Sequence, residues 1–90
     1  MTRNRSIKQT FQLVAPAAKS VVLAGDFTQW RERAIPMQRD HNGIWSASVG
    51  LAPGAHRYRF IVDGEWRDDP ECNRRVPNPF GSQDMLREAA

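Results

Sequence analysis

One stretch narrows what this chain can fold into more than any other: Ala55-His56-Arg57-Tyr58-Arg59-Phe60-Ile61-Val62, followed by Asp63-Gly64 and Glu65-Trp66-Arg67. Successive side chains of a strand point to opposite faces. Tyr58, Phe60 and Val62 therefore share one face, and Arg57, Arg59 and Ile61 share the other. Asp63-Gly64 has the composition of a two-residue hairpin turn, which sends the chain straight back through Trp66. An isolated hairpin is marginal in water, so the rest of the chain must supply further strands.

The remaining sequence does so. In Ile7–Leu13 the apolar Ile7, Phe11 and Leu13 fall on one face, and Ala15-Pro16 ends the run. Lys19–Ala24 is β-branched and reads as a second strand, closed by Gly25-Asp26. Residues 26–34 lack a clean period and read as a loop or one short helical turn presenting Trp30. Ile35–Arg39 is expected to be a short edge strand, because Pro36 cannot donate to a ladder. Asp40-His41-Asn42-Gly43 is expected to be a type I′ hairpin turn. Ile44–Val49 follows with Trp45, Ala47 and Val49 inward, then a turn over Leu51-Ala52-Pro53-Gly54. Residues 68–83 hold three of the 6 prolines and read as a long irregular loop. Asp84–Arg87 is a closing strand, with Ala89 and Ala90 a frayed end. Six to eight short strands at regular spacing predict an all-β, antiparallel sandwich, with a barrel as the main alternative. With 90 residues there is one core, expected over residues 7–88 behind a flexible basic arm at residues 1–6.

Composition excludes several functions. Cys72 is the 1 cysteine, so neither a disulfide framework nor a cysteine-rich zinc site is available, which suits a cytoplasmic protein. There is no Ser-His-Asp pattern, no HExxH and no glycine-rich phosphate loop, so the chain reads as non-catalytic and without a cofactor. Asp68, Asp69 and Glu71 crowd one loop, but consecutive acids seldom converge on a metal. No apolar run is long enough for a membrane span, and MTRNRSIKQT has no apolar core behind its charges, so no secretory signal is expected. Residues 1–39 carry seven basic and two acidic side chains, within a net charge of +3. Such an end can bind phosphates weakly, but it reads more simply as a solvated arm, so nucleic acid is not the expected partner.

The aromatic residues are more informative. Phe11, Trp45, Tyr58 and Phe60 sit where alternation buries them. Trp30 and Trp66 instead follow polar turn residues, Thr28-Gln29 and Asp63-Gly64-Glu65. The pattern leaves open whether they fold back as caps or stand exposed for a partner.

The ordered set Gly25-Asp26-Phe27-Thr28-Gln29-Trp30, then Pro53-Gly54-Ala55-His56-Arg57-Tyr58-Arg59-Phe60-Ile61-Val62-Asp63-Gly64-Glu65-Trp66, then Asp69-Pro70, resembles carbohydrate-binding module family 48. That group includes the glycogen-binding domain of a kinase β subunit and the early-set domains of isoamylases and branching enzymes. The resemblance runs over about residues 8–87. It implies an immunoglobulin-like (early-set) β-sandwich that binds α-1,4-linked glucan: glycogen, maltooligosaccharides and, by extension, cyclodextrin. It implies that Trp30 and Trp66 stack on glucose rings. It places Arg59 at the family's basic position, usually lysine, as a donor to sugar hydroxyls. Phe80-Gly81-Ser82-Gln83-Asp84 matches the family's closing loop, so Phe80 would wedge into the glucan and Ser82 would bond a hydroxyl. Asp84 stands where the family has asparagine and can only accept. His56 and Asp69-Pro70 are read as structural. The alternative is an early-set domain that packs on a glycogen-metabolising enzyme or a kinase partner without binding sugar.

Overall fold

The structure, a computed structural model, describes residues 6–89. Residues 1–5 of the expected basic arm, and Ala90, lie outside the described residues. Nine strands are present among the described residues: β1 (Ile7–Val14), β2 (Val21–Gly25), β3 (Ile35–Pro36), β4 (Gln38–Arg39), β5 (Ile44–Leu51), β6 (Gly54–Val62), β7 (Glu65–Arg67), β8 (Arg75–Pro77) and β9 (Gln83–Ala89). They form two antiparallel sheets, β1-β5-β4 and β3-β2-β6-β9-β8, with β7 also paired to β6. The expected all-β sandwich is therefore the observed architecture, one short strand beyond the expected range.

Alternation fills the space between the sheets. From the small sheet come Phe11, Leu13, Trp45 and Leu51; from the large one, Val21, Leu23, Tyr58, Phe60 and Met85. Tyr58 lies edge-on to Phe11 at 4.8 Å and to Phe60 at 5.9 Å. Its hydroxyl donates to Asp69 at 2.6 Å, so the polar tip of a buried ring is satisfied. Burial, and then the Asp69 carboxylate, push the Tyr58 phenol far above its ordinary pKa, which keeps it a donor. Asp69 also accepts from the Glu71 N–H at 2.9 Å, so Asp69-Pro70 is a structural turn.

Four expectations change. The run Ile35–Arg39 is two strands, not one: β3 pairs β2 in the large sheet and β4 pairs β5 in the small one. Met37 between them turns inward, and its N–H donates to the Val21 carbonyl at 2.9 Å. The chain thus changes sheets within five residues, a corner that alternation alone does not reveal. The turn at Asp40–Gly43 is not type I′, because Gly43 has φ 79 but Asn42 is not in the left-handed region. Instead the Asp40 carboxylate accepts the N–H groups of Asn42 at 2.8 Å and Ile44 at 3.0 Å. By contrast Asp63 and Gly64, at φ 50 and 85, form the expected type I′ turn. The long loop contains β8, a three-residue strand too short to show a period. Finally, β9 reaches Ala89, which is buried opposite Gly54 rather than frayed.

Candidate functional site

The site lies on the outer face of the large sheet. Directly opposed residues of an antiparallel pair share a face. Ile61 opposes Trp66, and Arg57 and Arg59 lie on the same side of β6. Ile61 is buried although it faces away from the core, so this face is covered locally instead of simply wetted. A cleft of about 610 Å³ opens over it. All six residues singled out by sequence line it: Trp30, Arg59, Trp66, Phe80, Ser82 and Asp84.

Trp30 arrives from the β2–β3 connection, and the local sequence explains how. A Cβ on Gly25 would come within 2.5 Å of the Arg57 carbonyl oxygen, so only glycine lets the two strands approach so closely here. Phe27 stacks on core Phe11 at 5.9 Å and anchors the loop. The buried Thr28 hydroxyl accepts the Gly25 N–H at 2.9 Å. Its single proton reaches the Trp30 carbonyl at 2.8 Å, with the Gly25 carbonyl at 3.0 Å as the other acceptor. Gln29 and Trp30 then both adopt left-handed backbone, φ 54 and 57. That conformation costs about 1–3 kcal/mol for each non-glycine residue and persists only where surroundings enforce it. A 3₁₀ turn, Trp30–Arg33, follows.

Trp66 arrives on β7, aimed by the Asp63-Gly64 turn. The two indoles lie 6.3 Å apart with their planes at 64°. The guanidinium groups of Arg31 and Arg59 sit over the Trp66 ring at 5.4 and 5.7 Å. Trp66 is 38% exposed, and Trp30 is half-buried.

The third wall is the turn between β8 and β9. Asn78 organises it: its side-chain oxygen accepts the N–H groups of Phe80 at 3.0 Å and Ser82 at 3.1 Å. Its amide donates to Ser82 Oγ at 2.9 Å and to Asp84 Oδ1 at 3.0 Å. Gly81, at φ 82, completes the turn. Phe80 is left 90% exposed at the tip, an apolar ring that the described residues leave almost uncovered. Asp84 is buried beneath the turn, so part of its acceptor capacity is already taken inside the protein. Arg59 completes the floor, with Nη1 3.3 Å from Ser82 Oγ.

Sequence reasoning missed Asp26, Arg31, Arg57, Asn78 and Pro79, which also line the cleft. The Asn78-Pro79 step before Phe80-Gly81 was a readable turn signal; nothing in the sequence pointed to Arg31. Of the three loop acids, Asp68 is held by Arg59 and Arg75 and Asp69 by Tyr58, and no cluster of three or more metal-ligating side chains occurs among the described residues. His56 lies edge-on to Phe27, with Nε2 2.8 Å from the Ala52 carbonyl, a structural setting.

The chain belongs to the family described as the glycogen recognition site of AMP-activated protein kinase, whose model matches residues 9–82. It is 42% identical over 52 residues to 5′-AMP-activated protein kinase subunit beta-1 of Sus scrofa, covering 58% of this chain and 40% of that protein. It is 37% identical over 70 residues to the chloroplastic protein PTST homolog 2 of Arabidopsis thaliana, covering 77% of this chain and 13% of that protein. It is 39% identical over 80 residues to the 1,4-alpha-glucan branching enzyme GlgB of a Synechococcus strain, covering 88% of this chain and 10% of that protein. The chain thus spans two fifths or less of these relatives. No helix among the described residues is long and apolar enough to cross a membrane.

Proposed function

We propose that the chain is a non-catalytic α-glucan-binding module that grips glycogen or maltooligosaccharides between Trp30 and Trp66. The observation that carries this reading is the convergence of six residues, drawn from three separate segments, on one cleft. A pyranose has an apolar C–H face, which an indole can cover while the ring hydroxyls stay free. By analogy with base–aromatic stacking, each platform supplies about 1–3 kcal/mol. Two planes at 64° suit a chain that curves, as an α-1,4-glucan does, better than a flat β-glucan. Phe80 would fill the inner, apolar side of the curve. Arg59 and Ser82 would bond hydroxyls, with Asp84 restricted to accepting. The relatives named above support the ligand class, since one is a glucan-branching enzyme and the family is described by glycogen recognition. The half-buried free thiol of Cys72 supports a reducing, cytoplasmic setting.

Affinity electrophoresis tests the reading: wild type should be retarded in a glycogen gel, and the Trp30→Ala/Trp66→Ala variant should not. Equal wild-type mobility with and without glycogen refutes sugar binding and favours a domain that packs on an enzyme or kinase. Retardation that survives the double substitution refutes the site.

A further inference from the structure

Arg59 is held in an unusual way. Its side chain is only 15% exposed, and its Nε–H is buried with no hydrogen-bond partner among the described residues. A buried donor left unmade costs about 1–3 kcal/mol, so an unrestrained arginine would turn to find a partner. What opposes that turn is Asp68. Its Oδ1 accepts from Arg59 Nη2 at 2.9 Å, and its Oδ2 accepts from Arg75 Nη1 at 2.9 Å. One carboxylate, on the residue just past β7 and two beyond Trp66, thereby joins the floor strand β6 to the first residue of β8. Arg75 Nη2 also donates to the Asp69 carbonyl at 3.3 Å, which fixes Arg75 to the same turn. β8 leads directly into Asn78 and the Phe80 tip.

Resting on the glucan reading above, we infer that Asp68, backed by Arg75, is the positioning residue of the site. It sets the Arg59 fork beneath Trp66 and fixes the spacing between the Trp66 platform and the Phe80 turn. Asp68 does not itself line the cleft, but Arg59, which it holds, does, so its effect on sugar must pass through the arginines it pairs with. Asp68 is 42% exposed but Arg59 only 15%, so losing the carboxylate should also cost some stability, and a urea titration of each variant separates that loss from the change in geometry.

The experiment has two readouts on wild type, Asp68→Asn, Asp68→Glu, Arg75→Ala, Arg59→Ala and the Arg59→Ala/Asp68→Asn pair. The first needs no sugar: the ¹⁵N-resolved Arg59 Nε–H signal should be distinct and slow to exchange in wild type, and should average into the bulk arginine signal in Asp68→Asn. An unchanged signal overturns the proposal. The second is calorimetric titration with maltoheptaose. Asp68→Asn should weaken binding about ten-fold, the size of one lost charged hydrogen bond. Asp68→Glu should recover part of that loss, and Arg75→Ala should lose less. In the Arg59→Ala background Asp68→Asn should add less than about two-fold, whereas a full additional loss would overturn the coupling. If wild type fails to bind maltoheptaose, the glucan reading falls, and the Arg59 signal still decides whether Asp68 positions it.

Discussion

Trp45 and Trp66 are both strand residues on antiparallel ladders, yet they have opposite fates. Trp45 is 8% exposed between the sheets, and its indole N–H donates to the Ala15 carbonyl at 2.9 Å. Trp66 stands on the far side of the other sheet, bracketed by two guanidinium groups and a second indole. Neither Trp66 nor Trp30 donates its N–H to a protein group among the recorded hydrogen bonds of the described residues. The core tryptophan is thus complete as it stands, while the outer pair keeps indole donors that no protein group among the described residues takes up, with Trp66 still 38% exposed. On the proposed function, the ring that stabilises the fold and the rings offered to a ligand differ in whether the protein finishes their contacts.

Substitution should separate the two kinds. Trp45→Ala is expected to have the largest effect, lowering unfolding free energy by about 3–5 kcal/mol in urea titrations. The fraction still folded should bind glucan normally. A mild effect would mean that Trp45 is not the core member of the three. Trp66→Ala and Trp30→Ala should each weaken maltoheptaose binding by about 1–3 kcal/mol, with stability changing by less than about 1 kcal/mol. A stability loss matching that of Trp45→Ala would erase the distinction.

Thr28→Val sharpens it. The substitution leaves the Gly25 N–H without its acceptor and frees the left-handed Gln29-Trp30 step. It should lower stability by about 1–2 kcal/mol and weaken binding several-fold, so that a folding defect and a site defect appear together. Retained affinity would show that Trp30 does not depend on this lock.

The smallest effect concerns Asp40, far from the site. Hydrogen bonds from Ile44 and Asn42 hold its carboxyl below the usual value of 3.8. Its contribution is therefore present above about pH 4 and fades as pH falls through the lowered folded value. Amide exchange at Asn42 and Ile44 should quicken in that acidic window, with the Trp30 loop unaffected.

How much of this the sequence could reveal follows from the same contrast. Period-two alternation located Phe11, Trp45, Tyr58 and Phe60, because burying one face of a sheet leaves little freedom in side-chain type. The Asp63-Gly64 turn was legible because few dipeptides tolerate two positive φ angles. The corner at Met37 and the strand β8 were not, since two or three residues carry no period. Trp30 and Trp66 were visible as candidates, but their mutual angle depends on a left-handed step at Gln29-Trp30 that no composition rule favours. The role of Asp68 was hidden for a related reason: its partners Arg59 and Arg75 lie nine and seven residues away in the chain, joined only by sheet pairing.

The division of the three tryptophans is tested most directly by their indole N–H signals in a ¹⁵N–¹H correlation spectrum during maltoheptaose addition. The expected result is that two of the three signals, assigned to Trp30 and Trp66 by single substitutions, shift and saturate together while that of Trp45 stays in place. Movement of Trp45 alone, or saturating binding with no movement of Trp30 and Trp66, would contradict a glucan site built on the outer pair.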